Sequence, residues 1–230
     1  MLEDGLSYPM QGDQWIGRIL IGGVIVFFAF LLLPIFFFQG YLLRVLGSTV
    51  RGEPEPPAWE DWGGLFVDGL KATAVTFIYA FVPVAVFGVL SLFLFGLGGA
   101  AGDSGGGLIA GFGLLTLLLA IPVMFLVYYL VPAALANMAV EGSIGSAFDF
   151  DMLSNVVLSV DYFIAVLMPI VVGVIVNIVS FVLGITIIGY LLVPFVAFYG
   201  QVAVFRMFGL AFAKQSAGTG SRATGAATGY

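Results

Sequence analysis

The sequence contains no cysteine and no histidine. The first absence removes any disulfide framework and any thiolate metal site. The second removes the commonest general base and the commonest transition-metal ligand. Charge is scarce as well. Only 9% of the 230 residues are charged and 61% are hydrophobic, whereas soluble domains carry about 25% charged residues. So few charges cannot build a water-facing surface. The net charge of −6 also disfavours nucleic acid as a partner.

The charges present are segregated. No Asp, Glu, Lys or Arg occurs in residues 19–43, 72–102, 104–140 or 162–205. A spanning helix needs about 20 apolar residues, and the last window is long enough for two. Barrel strands are shorter and alternate in polarity, so helices are the spanning structure these runs predict. The expected architecture is an all-α polytopic transmembrane helix bundle of about five Pro-kinked spans, at 17–46, 69–97, 107–138, 160–183 and 187–213, with two interfacial amphipathic helices. Residues 1–14 form a polar N-terminal segment, 15–213 the transmembrane helical domain and 214–230 a low-complexity tail expected to be disordered by itself. The opening Met1-Leu2-Glu3-Asp4 is acidic where a secretory signal would be basic, so the first span is expected to remain in the membrane.

Basic residues set the orientation of such a chain. Arg44, Arg51, Lys71, Arg206, Lys214 and Arg222 fall on one side of a five-span arrangement and Arg18 on the other. The expected location is the cell membrane, multi-pass, with the N-terminus outside and the C-terminus inside.

Each span holds a proline after a bulky apolar residue: Pro34, Pro83, Pro132, Pro169 and Pro194. The first three are spaced 49 residues apart, and acidic–aromatic segments precede spans one, two and four. Such a repeat fits the broken helices of transporters, and it also fits the general tolerance of membrane helices for proline. Four amides follow in the spans, Gln39, Asn137, Asn177 and Gln201. Gln39, Asn137 and Gln201 lie five to seven residues past a proline, at similar depth. With carbonyls freed by proline they are the candidate polar cluster of a solute path. Ordinary interhelical hydrogen bonding is the alternative.

Between the spans, Gly52-Glu53-Pro54-Glu55-Pro56-Pro57 is stiff and extended. Trp59, Trp62, Phe66 and Leu70 then recur at helical spacing, and Phe148, Met152 and Val156 do the same in residues 144–158. These are the two predicted surface helices, with Trp15, Trp59, Trp62 and Phe148 as interfacial anchors. The first is also a candidate docking surface for a cytoplasmic partner. Asp149 and Asp151 are too few for a cation site. The glycine-rich stretch 98–107 lacks the Lys-Ser/Thr of a phosphate loop and is read as a flexible hairpin. Gly107, Gly111 and their neighbours Ala110 and Gly113 give a small-residue face for close helix contact.

Tyr8-Pro9, Asp13-Gln14-Trp15, Ile21-Gly22-Gly23, Leu33-Pro34-Ile35-Phe36 and Gly40-Tyr41-Leu42-Leu43-Arg44-Val45-Leu46 form one pattern. Pro57-Ala58-Trp59-Glu60-Asp61-Trp62-Gly63 and Asp68-Gly69-Leu70-Lys71-Ala72 continue it. Together they resemble the prokaryotic multi-pass family catalogued as domain of unknown function 4013, abundant in halophilic archaea, over most of residues 8–213. The resemblance implies a membrane protein with an acidic, halophile-like surface and no assigned chemistry.

No ionisable residue lies deep in a span, where intramembrane enzymes and pumps usually need one. The expectation is therefore a non-enzyme, without cofactor or metal. A structural or accessory protein is expected, assembling as a homo-oligomer or with another membrane protein in the lipid bilayer. The alternative is a small-solute channel or transporter built on the amide cluster.

Overall fold

The computed structural model describes residues 1–102 and 105–227, with side chains as far as residue 216. The chain is all-α, and no strand occurs among the described residues. The helices are α1 (Leu2–Ser7), α2 (Trp15–Phe27), α3 (Leu33–Val50), α4 (Trp62–Ala101), α5 (Gly106–Glu141), α6 (Phe150–Val157), α7 (Val160–Leu183), α8 (Ile187–Tyr190) and α9 (Val193–Ala227). Five stretches are long and apolar enough to cross a membrane: Leu33–Val50, Trp62–Ala101, Gly106–Glu141, Val160–Leu183 and Ile187–Ser216. The fold divides into two compact units, Met1–Thr73 with Pro132–Tyr230, and Ala74–Val131.

In the first unit α9 is the hub, packing against α1, α2, α3, α6 and α7. Its partners reveal their directions. Along α9, Phe198 meets Phe38 and Tyr41, and Gly209 meets Leu46 and Thr49, so α3 runs parallel to it. Gly23 meets Phe195, Gly22 meets Phe198 and Gly5 meets Met207, so the segment from α1 to α2 runs antiparallel. α7 is also antiparallel, with Val172 and Val176 beside Gly200 and Asp161 beside Lys214.

Residues 17–46 are therefore not one kinked span. They are a helical hairpin that reverses at residues 28–32, where Leu32 takes φ +65°. A left-handed conformation costs a non-glycine residue about 1–2 kcal/mol. Pro34 sits in the first turn of α3, where its fixed φ suits a helix start and its missing N–H is no loss. Pro194, second residue of α9, begins a helix in the same way. Neither kinks a span interior, contrary to expectation; Pro83 and Pro169 do lie inside helices, and Pro132 falls within α5. Beside Pro132, the buried Tyr162 hydroxyl accepts the Ala133 N–H at 3.0 Å, which satisfies a backbone donor where proline disturbs the ladder.

The hairpin places the N-terminal segment at the same end of this unit as Glu53 and Arg206. Asp4 and Arg206 form an ion pair at 3.0 Å at that end.

The two expected surface helices are built differently. The first starts at Trp62, and its aromatic face packs on α3: Phe36 and Phe66 centroids are 5.6 Å apart, as are those of Phe37 and Trp62. The second is a 3-10 turn (Gly145–Phe148) followed by α6, which buries Leu153, Val156 and Val157 rather than Phe148 and Met152. It packs against α7 and α9.

The second unit is an antiparallel pair formed by the facing parts of α4 and α5. Gly98 lies against Gly106 and Ala110, and Gly113 against Phe95. The small-residue contact thus runs through Gly106, Ala110 and Gly113. A methyl at Gly107 or Gly111 would meet nothing within 4 Å among the described residues. The glycine-rich hairpin is shorter than expected, since Gly98 and Gly99 belong to α4 and Gly106 and Gly107 to α5; residues 103 and 104 lie outside the described residues. The low-complexity tail is helical as far as Ala227, and residues 228–230 lie outside the described residues.

Candidate functional site

Polar chemistry concentrates at one end of the first unit, where three arginines bind the connecting segments to the helices. Arg206 on α9 is 9% exposed. Its Nε donates to Asp4 Oδ1 at 3.0 Å and its Nη1 to the Glu53 carbonyl at 3.1 Å. The guanidinium carbon lies 4.2 Å from the centre of the Tyr8 ring, a cation–π contact that gains from desolvation. Tyr8 in turn donates to the Glu55 carbonyl at 2.9 Å and lies 3.2 Å from Ser48 Oγ. Burial pushes the Tyr8 hydroxyl above its ordinary pKa, which keeps it a neutral donor.

Arg18, at the start of α2, reaches across the hairpin. It donates to the Gln11 carbonyl at 2.9 Å and to Glu55 Oε2 at 3.2 Å. Its own carbonyl accepts the indole N–H of Trp59 at 3.0 Å. Arg44 on α3 clamps the start of α4. Its Nε meets Asp68 at 3.0 Å, its Nη2 meets Asp61 at 3.1 Å and its Nη1 meets the Glu60 carbonyl at 3.0 Å. Asp61 also accepts the Gly64 N–H at 3.0 Å, an N-terminal cap for α4. That backbone bond first, and then the Arg44 guanidinium, hold the Asp61 carboxyl below its ordinary pKa.

The four expected cluster amides do not assemble. Asn137 is buried and donates to the Ser146 carbonyl at 2.8 Å. Asn177 is exposed and donates to Gly173 of its own helix. Gln201 is exposed and Gln39 half-buried. Among the described residues, no hydrogen bond joins any two of them. Of the expected anchors, Trp15 and Trp62 are exposed and Phe148 is half-buried. Trp59 is a core residue, 8% exposed and stacked on Tyr41 at 4.1 Å. Asp149 spends its carboxylate on the N-terminus of α6, accepting the Met152 N–H at 3.1 Å. Among the described residues no group of three or more carboxylates forms a metal cluster.

Sequence reasoning missed the arginine clamps. Their signal is the pairing of each scarce basic residue with an acidic residue in a connecting segment or a neighbouring helix, here Asp4, Glu55, Asp61 and Asp68.

A family model described as "Protein of unknown function (DUF4013)" matches residues 25–185. The chain belongs to the DUF4013 family. The DUF4013 match takes in α3 to α7, including Arg44, Trp59, Asp61 and Asp68, with only the last three residues of α2, and it stops before α9. The N-terminal motifs up to Gly23 lie outside it. No curated protein and no solved structure matches this DUF4013 chain.

Proposed function

We propose that this chain is a non-catalytic structural or accessory protein of the membrane, which assembles with copies of itself or with another membrane protein. The observation that carries this reading is the fate of the polar side chains. The amides a solute path would need do not converge, and the buried Arg206 and half-buried Arg18 and Arg44 are spent on fixing the protein's own connections. Little polar chemistry is left over for turnover. A passive channel would need polar groups converging on one water-filled line, and Gln39, Asn137, Asn177 and Gln201 do not support one.

The α4–α5 pair supports assembly. Outside the contact at Gly98, Gly106, Ala110 and Gly113, its surface is apolar and exposed, including Val89, Leu92, Phe93, Leu108 and Phe112. Lipid chains are as apolar as these side chains, so helix association there depends on shape and close packing. We place the arginine-rich end on the cytoplasmic side, because Arg18, Arg44 and Arg206 all lie there.

Native mass spectrometry of protein extracted gently with its own lipids tests the assembly reading. A defined homo-oligomer, or a stoichiometric complex with a second membrane protein, is the expected result. A lone monomer at every detergent concentration would overturn it.

A further inference from the structure

A cleft of about 110 Å³ opens between the C-terminal half of α3, the first turns of α4 and the last turns of α5. Its polar lining is Arg44, Arg51, Asp68 and Lys71, with Leu43 and Met138 among its apolar neighbours. That is three cations against one carboxylate. The cations differ in how far they are committed. Arg44 is held by Asp61 and Asp68. Arg51 pairs with Glu53 at 2.7 Å, but both side chains are about half exposed, and such surface pairs are worth little. Lys71 is half-buried and makes no hydrogen bond or ion pair among the described residues.

A half-buried ammonium without a partner, beside a loosely held guanidinium, favours an anion. The volume suits a small one: about 110 Å³ of space for water centres holds several waters, at roughly 10–15 Å³ each, or one phosphate group. Its apolar neighbours suit a group whose remainder lies in the membrane. A broader hollow of about 400 Å³ at Gln14, Gly17, Arg18 and Trp59 makes a useful contrast. It holds a single cation, Arg18, which is paired with Glu55 and bonded to the Gln11 carbonyl, against three cations in the smaller cleft.

We propose that the Arg44–Arg51–Lys71 cleft binds a phosphate group, carried by an anionic lipid headgroup or free in solution, with Lys71 and Arg51 as donors and Arg44 as the fixed positive wall. Basic pockets between membrane helices on the cytoplasmic side are suited to such headgroups. The inference requires that the chain reside in a membrane for the lipid case, and it is independent of assembly.

The test uses the full chain, delipidated in neutral detergent, titrated with phosphatidylglycerol, phosphatidylcholine or inorganic phosphate and read by native mass spectrometry. The expected result is one tightly retained phosphatidylglycerol per chain, in preference to phosphatidylcholine. Arg51→Gln with Lys71→Gln weakens that retention by about tenfold or more. Lys214→Gln, which removes an exposed cation paired with Asp161, leaves it unchanged. Displacement of the lipid by inorganic phosphate would assign the site to the free anion, and failure of phosphate to compete would assign it to the lipid. Equal retention of both lipids with no phosphate binding overturns the proposal. So does unchanged retention in the double variant at native-like thermal stability, because the cations would then only offset the carbonyl ends of α3 and α5.

Discussion

At the scale of single residues, the feature that most separates this protein from a generic membrane bundle is Trp59. Tryptophans flanking an apolar run usually sit at headgroup depth, and Trp62 is 46% exposed, in keeping with that habit. Trp59 instead closes the aromatic core formed with Tyr8, Tyr41 and Phe198. Its ring is stacked on Tyr41 at an interplanar angle of 11°, and its N–H joins the connecting segment to the start of α2. Trp59→Ala leaves a cavity and removes the indole bond to the Arg18 carbonyl, so it costs about 3–5 kcal/mol. Trp62→Ala loses part of an exposed aromatic cluster and costs about 1 kcal/mol. Thermal unfolding of both variants in detergent checks this, and equal shifts would mean that Trp59 is no core element. The residue type was legible in the sequence, but its direction was not. A helix spacing fixes how deep a side chain lies and leaves open whether it faces lipid or protein, because both environments suit an aromatic ring. The amides fail for the same reason: Gln39, Asn137 and Gln201 are expected at one depth, and among the described residues no hydrogen bond joins them.

At the scale of elements, the α2–α3 hairpin was the hardest feature to read. Helix α7 falls on the residues its charge-free run predicts, Val160–Leu183, because polar residues mark its start and a glycine its end. Nothing comparable marks the reversal at 28–32. Phe30, Leu31 and Leu32 are all highly exposed, yet they are as apolar as the helices on either side, so hydropathy is continuous across the break. Pro34 was visible, but a proline signals a kink or a start with equal force. The crossing of α3 and α4 was also hidden in composition. A methyl at Gly40 would run into the Leu65 carbonyl, and one at Gly69 into the Phe36 carbonyl. Backbone cannot swing aside as a flexible side chain does, so Gly40→Ala and Gly69→Ala each destabilise by about 1–3 kcal/mol or more. Gly88→Ala, where a methyl meets nothing within 4 Å, has helix propensity in its favour and should be neutral or stabilising. Melting temperatures of the three variants separate these cases, and a neutral Gly40→Ala would disprove close contact at the crossing.

At the scale of the whole molecule, the hairpin returns the N-terminal segment to the end that holds Arg206, and with it changes the reading of charge. A single span over 17–46 leaves Arg18 as an exception on the far side. With the chain returning at 28–32, Arg18 joins Arg44 and Arg206 at one end, where Arg18 is bonded to Glu55, Arg44 to both Asp61 and Asp68, and Arg206 to Asp4. No exception then remains among these three, and the positive-inside bias acts on the molecule in one sense. On this reading the N-terminus and the 51–61 segment share a side of the membrane, and that side is expected to be cytoplasmic. The absence of cysteine makes the check direct, since each introduced thiol is the sole target. Glu3→Cys and Gly52→Cys both sit at exposed positions. In intact cells both are expected to resist a membrane-impermeant maleimide, and in inverted vesicles both are expected to react. Labelling of position 3 from outside, with position 52 protected, would restore the single span and dissolve the Asp4–Arg206 contact. Labelling of both from outside would keep the hairpin and invert the molecule, so the two errors are distinguishable in one experiment.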